Sequence, residues 1–153
     1  DTPAWVPLPW SWAAERLLVK RNFWVVTVSA DGRPQAPPVW GVWDDDSRRL
    51  ALSCGPRARK ARNLAANPRA VVVIDDTVEC LSGEDHAAPV PGDERQAHWI
   101  ERYLAKYQPL SPDITADFLR QNLMFVLVPE RALAVIERAE ECSTRATRGV
   151  FDT

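Results

Sequence analysis

A closed antiparallel β structure with peripheral helices, mainly β within the α+β class, is the architecture this sequence predicts, on three observations. Short β-branched and aromatic runs recur along the 153 residues, divided by turn signals and by only a few helical stretches. The runs at 24–28, 71–74 and 124–128 are apolar at consecutive positions, so both faces of those strands need cover. A barrel wall with a dry interior covers one face, and a helix or another subunit must cover the other. No internal repeat, low-complexity segment or interdomain linker interrupts the pattern, so residues 1–153 are expected to form one domain.

Residues 1–9, bounded by Pro3, Pro7 and Pro9, read as an extended arm. Trp5, Trp10 and Trp12 crowd this end of a chain with seven tryptophans and 13 prolines. Their indoles are expected to pack onto the barrel or a partner chain. Ser11 is placed to cap a helix running to about Val19, with Trp12, Leu17 and Leu18 buried. Residues 22–29 (NFWVVTVS) are a strand by composition. Asp31-Gly32 is the hairpin turn that follows, read as a two-residue loop whose positive φ glycine supplies. The second strand is 37–43 (PPVWGVW), held to an edge or bulge by Pro37 and Pro38. Residues 44–47 turn the chain into a third strand at 50–54.

A helix is expected over 56–67, with Pro56 in its first turn, where the missing N–H costs nothing. Strands at 70–75 and 78–83 meet at a tight turn. Pro89, Pro91 and Gly92 make 84–92 a loop. Residues 93–107 are an amphipathic helix and 112–121 a shorter one. Strands at 123–128 and 133–136 follow, with 146–151 as a last short one.

The formal net charge of −2 argues against a general nucleic-acid coat. No apolar run approaches membrane-spanning length, and no basic-then-apolar leader opens the chain, so neither membrane nor nucleic acid is an expected partner. Cys54, Cys80 and Cys142 are odd in number and widely spaced; they read as reduced thiols of a cytoplasmic protein. His86 and His98 lack metal-ligand spacing, and Asp44-Asp45-Asp46 lacks the alternation of a calcium loop, so no metal is expected.

The informative stretch is 53–68, SCGPRARKARNLAANP. Arg57, Arg59, Lys60, Arg62 and Arg69 put five positive charges into thirteen positions with no acid among them. Ala58, Ala61, Leu64 and Ala65 form an apolar stripe, flanked by Arg57, Lys60 and Asn63 at intervals of three. The free N–H groups and positive dipole of a helix start add to these cations, which suits a phosphate. A solvated basic face is the competing explanation; the position directly after a strand end favours the anion site. Cys54 lies beside the same cations, but without His and Asp partners it is expected as a small buried thiol.

FWVVTVSADGRPQAPPVW followed by RKARNLAANPRAVVV resembles the pyridoxamine 5'-phosphate oxidase-like split β-barrels that bind FMN or the deazaflavin coenzyme F-420. The likeness runs from about Trp10 to Phe151. It is most specific at Asp31-Gly32-Arg33-Pro34, Pro38-Val39-Trp40 and Arg59-Lys60-x-x-Asn63-Leu64. By position, the resemblance implies that Pro38, Val39 and Trp40 line the cofactor ring. Ser53 and Cys54 would lie near the ribityl chain or phosphate. Arg59 and Lys60 would grip the phosphate, with Arg57 and Asn63 assisting. It also implies a homodimer with the site at the interface. Ala58 stands where serine or threonine is common.

The expected activity is an oxidoreductase in which reduced F-420 gives a hydride to an unsaturated small molecule. An FMN flavoprotein and a non-catalytic cofactor-binding or sensing protein remain as alternatives, as does a dimer with a vestigial site. No general acid or base stands out, since such chemistry belongs to the cofactor.

Overall fold

A computed structural model describes residues 3–152. Residues 1 and 2 of the expected arm lie outside the described residues; residues 3–9 precede the first helix and belong to no helix or strand. This arm runs along the C-terminal segment: the Val6 N–H donates to the Thr144 carbonyl, the Leu8 N–H to Thr147 Oγ1, and the Trp5 indole to the Ala146 carbonyl, each at 2.8 Å. Helix α1 (Trp10–Val19) starts after Pro9 with no side-chain cap, so Ser11 lies inside it. Ala13 and Leu17 face the core, whereas Leu18 is 60 % exposed, a correction to the expected burial.

Strand β1 (Phe23–Val28) turns into β2 (Pro34–Gln35). The hairpin has three loop residues, not two: the Ser29 N–H bonds to the Arg33 carbonyl at 3.0 Å, and Gly32 N–H to the Ser29 carbonyl at 2.9 Å. Gly32 takes φ +83°, the left-handed residue that a three-residue hairpin requires. The expected strand at 37–43 is two pieces. β3 (Pro38–Val39) pairs with β1 at an edge, and β4 (Val42–Asp44) pairs with β5 (Arg49–Cys54). Helix α2 (Arg59–Ala66) begins three residues later than Pro56 suggests, with Ala58 as an N-cap that offers no side-chain bond.

β6 (Arg69–Ile74) leads to β7 (Glu79–Pro89), which takes up most of the stretch expected as loop. Helix α3 (Gly92–Glu94), a π-helical turn (Arg95–Trp99) and α4 (Ile100–Tyr107) follow one another without a break. α5 (Ala116–Gln121) is capped by Thr115, whose hydroxyl accepts from the Phe118 N–H. β8 (Leu123–Ile136) is one long strand in place of the expected two. α6 (Ala139–Arg145) was not expected, and β9 (Thr147–Val150) ends the fold.

The sheet is antiparallel, in the order β2-β1-β6-β7-β8-β5-β4, with β3 on β1 and β9 on β8. Its two ends are joined by the chain itself at Trp40 and Gly41, between β3 and β4, which makes a barrel that is split at one side. Alternation sends Leu50, Leu52, Phe125 and Leu127 into the barrel with Phe23, Val25, Val72 and Ile74. Ala51, Met124 and Val126 point outward onto Trp99, Ile100, Tyr103, Tyr107 and Leu119. Helices therefore cover the outer face of β5 and β8. Among the described residues the outer face of β1 and β6 has no such cover: Trp24 is 45 % exposed, and Val26, Val71 and Val73 are half-buried. No helix among the described residues is long and apolar enough to cross a membrane.

Candidate functional site

The corner at Trp40-Gly41 organises the site. Gly41 sits in close quarters there, since a Cβ would lie 3.1 Å from Leu50 Cδ1 and 3.2 Å from Phe23 Cδ2. The end of α4 clamps it. The Tyr107 ring stacks on the Trp40 indole, with centroids 4.5 Å apart and planes 4° from parallel. The Tyr107 hydroxyl accepts from the Gly41 N–H and lies 2.8 Å from both the Gly41 and Arg21 carbonyls. The Lys106 ammonium donates to the Gly41 carbonyl at 2.8 Å and lies 5.2 Å from the Phe23 and Tyr107 ring centroids. Burial moves both titrations, lowering Lys106 to about 8 and raising Tyr107 to about 12.

Beside the corner an open groove of about 370 Å³ is lined by Asn22, Pro38, Val39, Trp40, Ser53, Lys60 and Tyr103. That volume is within the range of small-molecule and cofactor sites. β3 pairs only with β1 among the described strands, so its other edge is left free on the groove side. Lys60 comes from the first turn of α2, where the cap lacks a side-chain acceptor and leaves early N–H groups available. Ser53 accepts from the Asn122 amide at 3.2 Å. Asn122 thereby ties the start of β8 to the groove floor.

Of the residues singled out in the sequence, Pro38, Val39, Trp40, Ser53 and Lys60 meet in this groove. Cys54 is buried just behind it, and burial raises its thiol pKa against the opposing pull of Lys60. Arg57 and Arg59 are exposed and do not line the groove. Arg57 precedes the helix, and its carbonyl accepts from the Arg62 guanidinium at 3.2 Å. The charge of Arg59 is felt at the β1–β2 hairpin, where the Ser29 hydroxyl, the larger influence, and to a lesser degree Arg59 hold Asp31 below its ordinary pKa. Asn63 turns inward: it is 4 % exposed, and its amide donates to the buried Thr27 hydroxyl at 3.0 Å.

Sequence reasoning misses Asn22 and Tyr103. The spacing of Tyr103 and Tyr107 by four places both rings on one helix face, and that was the available signal for Tyr103. Nothing local marks Asn22. The two histidines lie elsewhere, His86 with Glu130 at 3.0 Å and His98 with Asp44 at 2.9 Å. A separate cleft of about 400 Å³ between α1 and β9, lined by residues such as Trp10, Trp12, Arg48 and Phe151, shares no residue with the groove.

The sequence profile of the pyridoxamine 5'-phosphate oxidase family matches residues 13–132. No curated protein matches the chain in sequence. Several solved structures share the fold. A pyridoxamine 5'-phosphate oxidase-related, FMN-binding protein of Nostoc punctiforme aligns over 95% of this chain and 98% of its own, with TM-score 0.63 and 15% identity. An F-420 reductase aligns over 77% of this chain and 94% of its own, with TM-score 0.62 and 22% identity. A haem-storage protein of Vibrio cholerae aligns over 76% and 86%, with TM-score 0.58 and 23% identity. The family profile runs from inside α1 to the middle of β8, through every strand that builds the groove. The chain belongs to the pyridoxamine 5'-phosphate oxidase family.

Proposed function

We propose that the groove holds a flavin-type cofactor, with F-420 preferred over FMN, and that the reduced cofactor gives a hydride to an unsaturated small molecule while water supplies the proton. The observation that carries this reading is the convergence of a free strand edge, an indole, a serine hydroxyl and a lysine at one open groove. A planar ring fits along Pro38, Val39 and Trp40, and a phosphate suits Lys60 with the early N–H groups of α2. Cys54 and Asn63 support the groove from behind in this reading. When bound, the cofactor supplies the hydride chemistry; the chain binds, orients and shields it.

The preference for F-420 comes from charge. Arg57, Arg59, Arg62 and Arg69 are exposed, and none of them forms an ion pair among the described residues. One phosphate does not need so many cations, whereas the glutamate tail of F-420 offers carboxylates to meet them. Haem, which the Vibrio cholerae relative stores, finds no histidine at this groove, because His86 and His98 are engaged elsewhere. We also propose that two copies of the chain pair in the cytoplasm with the groove near their interface.

Fluorescence titration of FMN and F-420 into the protein, at low and high salt, tests the reading. F-420 is expected to bind more tightly and to lose more affinity with salt, since its extra contacts are ionic. Tight FMN uptake with no F-420 response would replace F-420 by FMN. Cofactor uptake without turnover of any electron acceptor would mark a binding or sensing protein.

A further inference from the structure

The Tyr107 hydroxyl has one hydrogen to give and two carbonyls, Gly41 and Arg21, equally near at 2.8 Å. The Lys106 ammonium also donates to the Gly41 carbonyl, so that acceptor is satisfied without the Tyr107 hydrogen, which can go to the Arg21 carbonyl while the Tyr107 oxygen accepts from the Gly41 N–H. Three backbone groups on two segments are then satisfied at once, and the corner is tied to the residues leading into β1. Tyr107 also carries the ring on which Trp40 stacks, so the same bonds fix the indole.

We propose that Lys106 is a positioning residue: its charged bond to the Gly41 carbonyl holds the corner so that the Trp40 indole walls the groove, and cofactor affinity follows that charge. The inference rests on the groove being the cofactor site. The surroundings of Lys106 fit the role. It forms no ion pair among the described residues, and burial between the Phe23 and Tyr107 rings is the sole cause of its lowered pKa of about 8. The other titratable or charged groups around corner and groove are Tyr103 and Tyr107 on α4, Arg21 ahead of β1, Cys54 on β5 and Lys60 on α2. Burial raises Tyr103, Tyr107 and Cys54, which keeps them uncharged near pH 8. Lys106 is charged below about pH 8 and neutral above, and a neutral amine is a weaker donor, so the clamp is present at low pH and fades as pH rises.

The test uses the full chain labelled with nitrogen-15, with the Trp40 indole signal identified by its loss in Trp40→Phe. Lys106→Met keeps the apolar stem without the charge, and Lys106→Arg keeps the charge and a donor. The Trp40 signal is expected to move in Lys106→Met, to move in the wild type between pH 7 and pH 9, and to stay in place in Lys106→Arg. Affinity for FMN and F-420 is expected to fall about five- to tenfold in Lys106→Met, and similarly in the wild type at pH 9. Lys106→Arg is expected to remain within about threefold of wild type at both pH values. An unmoved Trp40 signal in Lys106→Met, or unchanged cofactor affinity in that variant, would overturn the proposal. If the wild type takes up neither cofactor, the cofactor reading fails by itself, and the Trp40 signal still decides for or against the clamp.

Discussion

Lys60 and Arg59 are adjacent in sequence and unequal in place. Lys60 lines the groove, while Arg59 is exposed and shares its charge with Asp31. Lys60→Ala is therefore expected to weaken cofactor binding by about 1.5–3 kcal/mol, roughly ten- to over a hundredfold, and Arg59→Ala by clearly less. Asn63→Ala is expected to leave affinity in place and to cost about 1–3 kcal/mol of stability, because the Thr27 hydroxyl loses its partner inside the core. Cofactor titration beside urea unfolding separates the two effects; equal affinity losses for all three variants would contradict this division. The cations were legible from charge density alone. Their roles were not, because the interval of three that grouped Arg57, Lys60 and Asn63 applies only inside a helix, and α2 starts at Arg59. Thr27, the partner that turns Asn63 inward, lies 36 residues away, and no local pattern announces it.

At the scale of elements, β7 and β8 depart furthest from expectation. Glu84, Asp85 and His86 read as loop, yet they form strand because β6 and β8 pair with them on either side. Pro129-Glu130 likewise reads as a break, but β8 absorbs it as a bulge opposite Glu84 and Asp85. Neighbouring strands overrule local propensity here, and period-two alternation cannot show a bulge. The bulge leaves Asp85 buried beside a hollow of about 30 Å³ inside the barrel. A Cβ on Gly83 would lie 2.8 Å from its carboxylate, so glycine makes room for it. Burial, with Glu130 adding repulsion, raises Asp85 to about 7. Between an ordinary carboxylate pKa and about 7, the folded state keeps a proton that the unfolded state has lost, so this group makes stability fall as pH rises. Asp85→Asn is expected to raise stability by roughly 2–4 kcal/mol at pH 8 and to change it little at pH 4. Urea midpoints at the two pH values check this; an equal effect at both would show that Asp85 does not carry the titration.

For the whole molecule, the two-sided apolar strands were legible in sequence, but the covering partner of each was not. The outer face of β5 and β8 meets α4 and α5, whereas Trp24, Val26, Val71 and Val73 on β1 and β6 are left partly exposed, outside that helical cover, among the described residues. A second copy is the cover we propose, since a patch of this kind favours association. Light scattering is expected to give twice the 17.2 kDa chain mass, with Trp24→Glu shifting it toward the single-chain value. A single-chain mass for the unaltered protein at micromolar concentration would refute it. The reach of β8 also sets an order of events in time. Among the described strands, β5 and its partner β4 join the rest of the sheet only through β8, by pairs such as Leu50 with Leu127, and β7 needs the same strand on its other side. While the chain emerges from the ribosome, β5 and β7 thus wait with open edges until β8 is made, long after their own synthesis. Such late, distant pairing slows folding and leaves adhesive edges exposed meanwhile. A chain stopped short of Leu123 would keep those edges permanently, and aggregation would be its fate.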